Sequence, residues 1–190
     1  ESFTVTVTAV NDEPSFTKGP NITVLEDSGS NTYSGWATSI STGPSNESSQ
    51  SVTFTLTNNN NSLFSGQPAI SSSGVLTFTP ASNANGTATV TISLSDDGGT
   101  SNSGDDTYAN QTFTITVTAV NDPVTLTAAI ADYTVLEDAA ANTTDLDNIF
   151  GDIDILNGAS SALQTLTYSV VSNTNSGLAT PSINASTGVL

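Results

Sequence analysis

The stretch FTITVTAVND, Phe113–Asp122, repeats FTVTVTAVND, Phe3–Asp12, with nine of ten positions identical and an offset of 110 residues. Within it Phe113, Ile115 and Val117 alternate with Thr114, Thr116 and Thr118. A two-residue apolar/polar period belongs to a strand with one face buried and one wet, and β-branched, hydroxylated Thr suits the wet face. Self-similarity at such a spacing is also the mark of a tandem array.

Working outward, TVLED at Thr23–Asp27 recurs at Thr134–Asp138, and QSVTFTL at Gln50–Leu56 is echoed by QTLTYSV at Gln164–Val170. Ile70 followed by Gly74–Leu76 matches Ile183 followed by Gly188–Leu190. The offset drifts to 114, as small loop insertions produce. Residues 1–12 therefore read as the last strand of a preceding repeat, 13–122 as a complete repeat, and 123–190 as the N-terminal part of the next. The second repeat stops where the first reaches Leu76, so the chain reads as an excerpt of a longer array. A filament built by strand addition is the alternative, although residues 1–12 replace only the last missing strand and not the equivalent of Thr87–Ser95.

Strands are predicted where apolar residues alternate: Val52, Phe54, Leu56; Val90, Ile92, Leu94; and Phe113, Ile115, Val117. Shorter ones are expected near Ile22–Leu25, Tyr33–Ile40, Pro68–Ser71 and Gly74–Thr79, separated by turn signals at Asn58–Asn61, Ser72–Gly74, Asn83–Gly86 and Asp97–Gly104. The fold class is all-β. About seven short antiparallel strands per repeat read as an immunoglobulin-like sandwich. Trp36, the single Trp, is expected in the core of the second strand rather than as a ligand platform.

Eighteen acidic residues face one basic residue, Lys18, for a formal net charge of −17. That balance repels phosphate backbones and anionic bilayers, which argues against nucleic acid and against membrane surfaces as partners. With no Cys there is no disulfide framework or thiolate site, and with no His the metal-ligating groups are hard oxygens. No apolar run is long enough for a transmembrane helix, and an export signal is expected outside this piece. Catalysis finds neither His nor Cys and no paired carboxylates in a readable cleft, so the chain reads as non-enzymatic. Lys18 has no counterpart in the second repeat and reads as a solvated lysine rather than an isopeptide donor; the N-x-S/T triplets at Asn21, Asn46, Asn85 and Asn142 follow from an Asn-, Ser- and Thr-rich composition.

The acidic residues are clustered. Asn11 and Asp12, and again Asn121 and Asp122, stand at the two repeat junctions; Glu26 and Asp27 match Glu137 and Asp138. Asp96 and Asp97 open a Gly-rich loop that Asp105 and Asp106 close. Asp152, Asp154 and Asn157 form a D-x-D…N run, in which carboxylates two apart in extended chain project to one side. Calcium takes six to eight oxygens from carboxylates, amides, backbone carbonyls and water, so Ca2+ is the cation such clusters suit. Each cluster also reads as a polar turn.

TVTAVNDEP at the junction, TVLED early in the repeat, WATSISTGPSNESSQ, and NANGTATVTISLSDDGG before the last strand resemble bacterial cadherin-like repeats, over the whole chain and in the same order. The resemblance implies a seven-stranded sandwich, rod-like arrays on giant surface or secreted proteins, and calcium at the junctions. It groups Glu26, with Glu47 as an additional candidate, with Asn121, Asp122, Asp152 and Asp154 at the second junction. One departure stands out: animal cadherins carry Asp two places before Asn-Asp, where this chain has Ala9 and Ala119. The expected function is a structural and adhesive extracellular spacer stiffened by calcium. Its partners would be neighbouring repeats of the same or another copy, and cell-surface glycans or proteins. A filament or sheath subunit, or a carbohydrate-binding accessory module, are the alternatives; Tyr33, Tyr108, Tyr133, Tyr168 and Trp36 are too scattered to form an obvious sugar platform.

Overall fold

The computed structural model describes residues 1–153, 166–184 and 188–190, and the chain divides into two units, Glu1–Ala119 and Val120–Leu190. The described elements make the chain predominantly β, with short 3-10 turns between strands. No helix among the described residues is long and apolar enough to cross a membrane.

Unit 1 has nine strands: β1 (Ser15–Thr17), β2 (Ile22–Leu25), β3 (Asn31–Tyr33), β4 (Thr38–Ser41), β5 (Val52–Asn58), β6 (Phe64–Ile70), β7 (Leu76–Pro80), β8 (Gly86–Asp96) and β9 (Thr107–Thr118). They form a four-stranded sheet in the order β2-β9-β8-β5, a three-stranded sheet β3-β7-β6, and a β1-β4 pair. The repeated stretch supplies the second half of β9, Phe113 to Thr118. Its Phe113, Ile115 and Val117 are buried, while the Thr residues between them are not, as the alternation requires. Beside it, Ala88, Val90, Ile92 and Leu94 of β8 are almost wholly buried. From the other sheet, Phe64, Ile70, Leu76 and Phe78 join the same hydrophobic cluster. Each such side chain contributes about 1.5–3 kcal/mol by leaving water.

Three features differ from the sequence reading. The expected strand Tyr33–Ile40 is broken, because the chain turns over Ser34–Ala37 between β3 and β4. Trp36 is a core residue, but it enters the core from that turn and not from a strand. The sheet is also not purely antiparallel. β2 runs parallel to β9, with Ile22 opposite Ile115 and Leu25 opposite Thr118. Parallel neighbours need a long connection, and here the rest of the unit supplies it.

Phe3–Val10 forms no strand despite its likeness to β9, and Phe3, Val5 and Val7 lie exposed. A strand needs a ladder partner as well as a pattern.

In unit 2, β10 (Thr125–Leu126) pairs antiparallel with β11 (Phe150–Gly151), and Asp145 bridges to Val189. Asp145 caps the turn Leu146–Asn148 by accepting the Asp147 N–H at 3.0 Å. The Tyr168 hydroxyl donates to Asp147 Oδ1 at 2.7 Å. Withdrawal from water, that bond, and the charges of Asp147 and Asp145 push its pKa up to about 12. Within the unit lies an apolar groove of about 920 Å³, walled by Val124, Ile130, Leu146, Phe150, Leu166 and Ile183, among others.

Candidate metal centre

The β8 strand ends at Asp96 and β9 begins at Thr107, so the loop between them sits at one end of unit 1, hereafter its head. The linker residue Asn11 is fastened there by four hydrogen bonds. Its Nδ2 donates to Asp96 Oδ1 at 3.0 Å and to the Asp105 carbonyl at 2.7 Å. Its Oδ1 accepts from Gln50 Nε2 at 2.7 Å, and its carbonyl accepts the Asp105 N–H at 3.0 Å. One residue on, the Asp12 N–H donates to Glu47 Oε1 at 3.0 Å.

Glu47 belongs to a 3-10 turn, Ser45–Glu47, that places its side chain inward with 4% exposure. The turn is held by the Thr42 hydroxyl donating to the Glu47 carbonyl and by the Gln50 N–H donating to the same carbonyl, both at 2.9 Å. Asp97 is occupied differently, since its Oδ1 accepts the Ser51 N–H at 2.8 Å. The loop is closed by the Asp96 N–H on the Asp106 carbonyl, and Asp105 Oδ1 caps its own turn at Thr107.

Three buried oxygens at this head have no hydrogen-bond partner: Glu47 Oε2, Asp96 Oδ2 and Gln50 Oε1. Carboxylate and amide oxygens only accept, so a buried one left unmatched is costly unless a donor or a cation meets it. Among the described residues, no three His, Cys, Asp or Glu side chains gather as a ready-made ligand group. An ion at the head would thus draw on two carboxylates supplemented by amide and backbone oxygens and water, a mixture that calcium accepts.

The remaining candidates lie elsewhere. Glu26, 2% exposed, follows β2 and donates its N–H to the Thr118 carbonyl at 2.9 Å, at the far end of β9. Twelve-residue β9 separates that end from the head by roughly 40 Å. The grouping of Glu47 with Glu26 in one site is therefore corrected: Glu47 joins Asn11, Asp12 and Asp96. Asp27 adopts a positive φ of 57° and its Oδ1 accepts the Asn83 N–H, the work of a turn residue. Its counterpart Asp138 has φ 62°, so the repeat is legible in the backbone too, and Glu137 beside it is exposed. In unit 2 Asp152 is buried, Asp122 is half-buried and Asn121 is exposed, its Nδ2 donating to the Asp122 carbonyl at 3.1 Å. Asp154 and Asn157 lie outside the described residues.

The sequence reading missed Gln50 as part of the head. A signal was present, since Gln164 precedes the matching strand of the second repeat. It also missed the role of Gly98. A methyl group there would overlap both Asn11 Oδ1 and Gln50 Nε2, so the loop needs glycine to let the linker lie against it. Gly98→Ala is expected to loosen Asn11 while leaving the core intact. Amide exchange at Asp105, whose N–H bonds the Asn11 carbonyl, should accelerate by about tenfold or more. Unchanged exchange would show that the linker is not held by this fit.

Comparison with protein-family models, with curated proteins and with solved structures found no match to this chain.

Proposed function

We propose that this chain is a non-enzymatic structural and adhesive spacer, built of cadherin-like, immunoglobulin-type sandwich repeats in a long extracellular array, and that calcium binds where the linker meets the head of a repeat. The observation that carries this reading is the pair of buried, unmatched carboxylate oxygens on Glu47 and Asp96, both fastened to the linker through Asn11 and Asp12. A divalent cation would neutralise them and lock the linker onto the unit. Without it, their charge opposes the same docking. An array of such junctions stiffens with calcium and slackens without it, which suits a spacer that holds a surface-displayed element away from the cell.

The sandwich reading draws support from two sheets whose apolar faces share one core. The carbohydrate-module alternative draws none from the aromatic residues of unit 1. Trp36 is buried, Tyr33 stacks on Phe78, and Tyr108 packs edge-on against Phe16.

The test is calorimetric titration of calcium into chelator-treated protein, paired with melting curves. Micromolar to millimolar binding is expected, with unit 1 stabilised by about 2.7 kcal/mol when free calcium reaches one hundred times Kd. Asp96→Asn should weaken the response, and Asp106→Asn, in the same loop, should not. Absence of heat and of any thermal shift would remove calcium from the reading and leave an array held by packing alone.

A further inference from the structure

Seven prolines punctuate the chain, and one of them, Pro123, follows an aspartate. An Asp–Pro bond is open to attack from within. The aspartate carboxylate can close a five-membered ring on its own carbonyl carbon, and the tertiary nitrogen of proline leaves more readily than a secondary amide nitrogen. The repeat makes the position singular. At the first junction the order is Asn11, Asp12, Glu13, Pro14, so a glutamate separates aspartate from proline. At the second it is Asn121, Asp122, Pro123.

The neighbouring asparagines are used differently as well. Asn11 directs its Nδ2 to Asp96 and to the Asp105 carbonyl, which fastens the linker. Asn121 directs its Nδ2 to the Asp122 carbonyl at 3.1 Å. That carbonyl belongs to the bond in question. A donor already set on it draws electron density from the carbon before attack and meets the charge that gathers on oxygen during it. Donors at about 2.7–3.1 Å are those that stabilise such an oxyanion. Proline also holds the residue before it in extended backbone, which narrows the conformations to be searched. Asn121, Asp122 and Pro123 line the groove of unit 2 together with Val124 and Phe150. Asp122 is half-buried, which limits the water around its carboxylate, and Pro123 is exposed, which gives water a route to an intermediate.

We infer that Asp122–Pro123 is a self-scission site, at which the chain cuts itself at the second repeat junction. A side-chain oxygen of Asp122 attacks the Asp122 carbonyl carbon. The C–N bond to Pro123 breaks, and its electron pair goes to nitrogen, which takes a proton from water. Water then opens the cyclic anhydride left on Asp122. The products are an Asp122 bearing two carboxylates and a Pro123 bearing a protonated amine, and one water is consumed. Water is the one co-reactant. Each chain reacts once, so the site is a release point in an array rather than an enzyme. The inference goes beyond the spacer reading and stands apart from calcium, so its test is run in chelator.

The full chain is incubated folded, in mildly acidic buffer below its melting temperature, and followed by intact mass. Fragments 1–122 and 123–190 should accumulate. They should form about tenfold or more faster than from the same chain in urea, where Asn121 is not held on the carbonyl. Asn121→Ala should bring the folded rate down to about the rate in urea, leaving the urea rate and the melting curve unmoved, because Asn121 is exposed. Asn121→Asp, of the same shape with an acceptor in place of the donor, should do the same. Asp122→Glu, whose longer side chain cannot close the five-membered ring, should give no fragments. A folded chain that stays intact overturns the inference. So do equal rates folded and in urea, which would reduce the site to the ordinary lability of the dipeptide. Fragments that persist in Asp122→Glu, or an Asn121→Ala chain that cuts as fast as the parent, overturn it as well.

Discussion

Trp36→Ala is expected to lower the melting temperature of unit 1 by about 15–25 °C, the loss of about 3–5 kcal/mol typical of a buried Trp. The indole is 5% exposed and lies 4.4 Å from the Phe113 ring, centroid to centroid. Its N–H donates to the Pro20 carbonyl at 3.0 Å, and the chain at Gly19 passes so close that a side chain there would collide with it. Alanine therefore opens a cavity against β9 and strands the Pro20 carbonyl as well. A domain of this size holds only about 5–15 kcal/mol in total, so the variant sits near its unfolding limit. Trp36→Phe keeps most of the packing and should lose less than half as much. Calorimetry reads the change, because the substitution removes the single Trp fluorophore. A fall of under about 3 °C would mean that the indole is not a core residue, and would reopen the reading of Trp36 as a ligand platform.

Glu47→Gln is expected to move stability in opposite directions with and without calcium. In the ion-free protein Glu47 Oε1 has the Asp12 N–H, and Oε2 is buried without a partner. Glutamine retains an acceptor for Asp12 and removes the buried charge, so the ion-free variant should be more stable by about 1 kcal/mol or more. The same change removes a charged ligand, so the gain of about 2.7 kcal/mol at saturating calcium should largely disappear. Melting curves recorded in chelator and in excess calcium should therefore cross between variant and parent. If Glu47→Gln destabilises the ion-free protein and leaves the calcium response intact, the free oxygen is no ligand and the metal centre lies elsewhere.

The sheets of unit 1 were largely legible because their residues obey one local rule. Val90, Ile92 and Leu94, like Phe113, Ile115 and Val117, alternate with hydroxyl residues, and every one of them is buried. Direction of pairing was not legible, because ITVL carries no mark that distinguishes a parallel neighbour from an antiparallel one. The turn at Trp36 was hidden for a related reason: an apolar residue beside strand-like sequence reads as strand whether it lies in one or enters the core from a bend. At the head, residue type found Asn11, Asp12, Glu47 and Asp96 as candidates, but not their grouping. Glu47 lies 35 residues from Asp12 and is brought to it by the turn at Ser45–Glu47. Gln50 carries no charge to draw attention, and its role comes from a fold that sets it against Asn11.

The parallel pairing of β2 with β9 also decides how unit 1 bears load. β2 is the first strand of the four-stranded sheet along the chain and β9 is the last, and the two run side by side in the same direction. Tension applied through the two ends of the unit pulls them in opposite senses along their common axis. The bonds between them are then strained together in shear rather than opened one after another, as they would be at the end of a hairpin. The same four residues that close the sheet thus make the unit resist extension, and the linker bonds at Asn11 would give way before the core does.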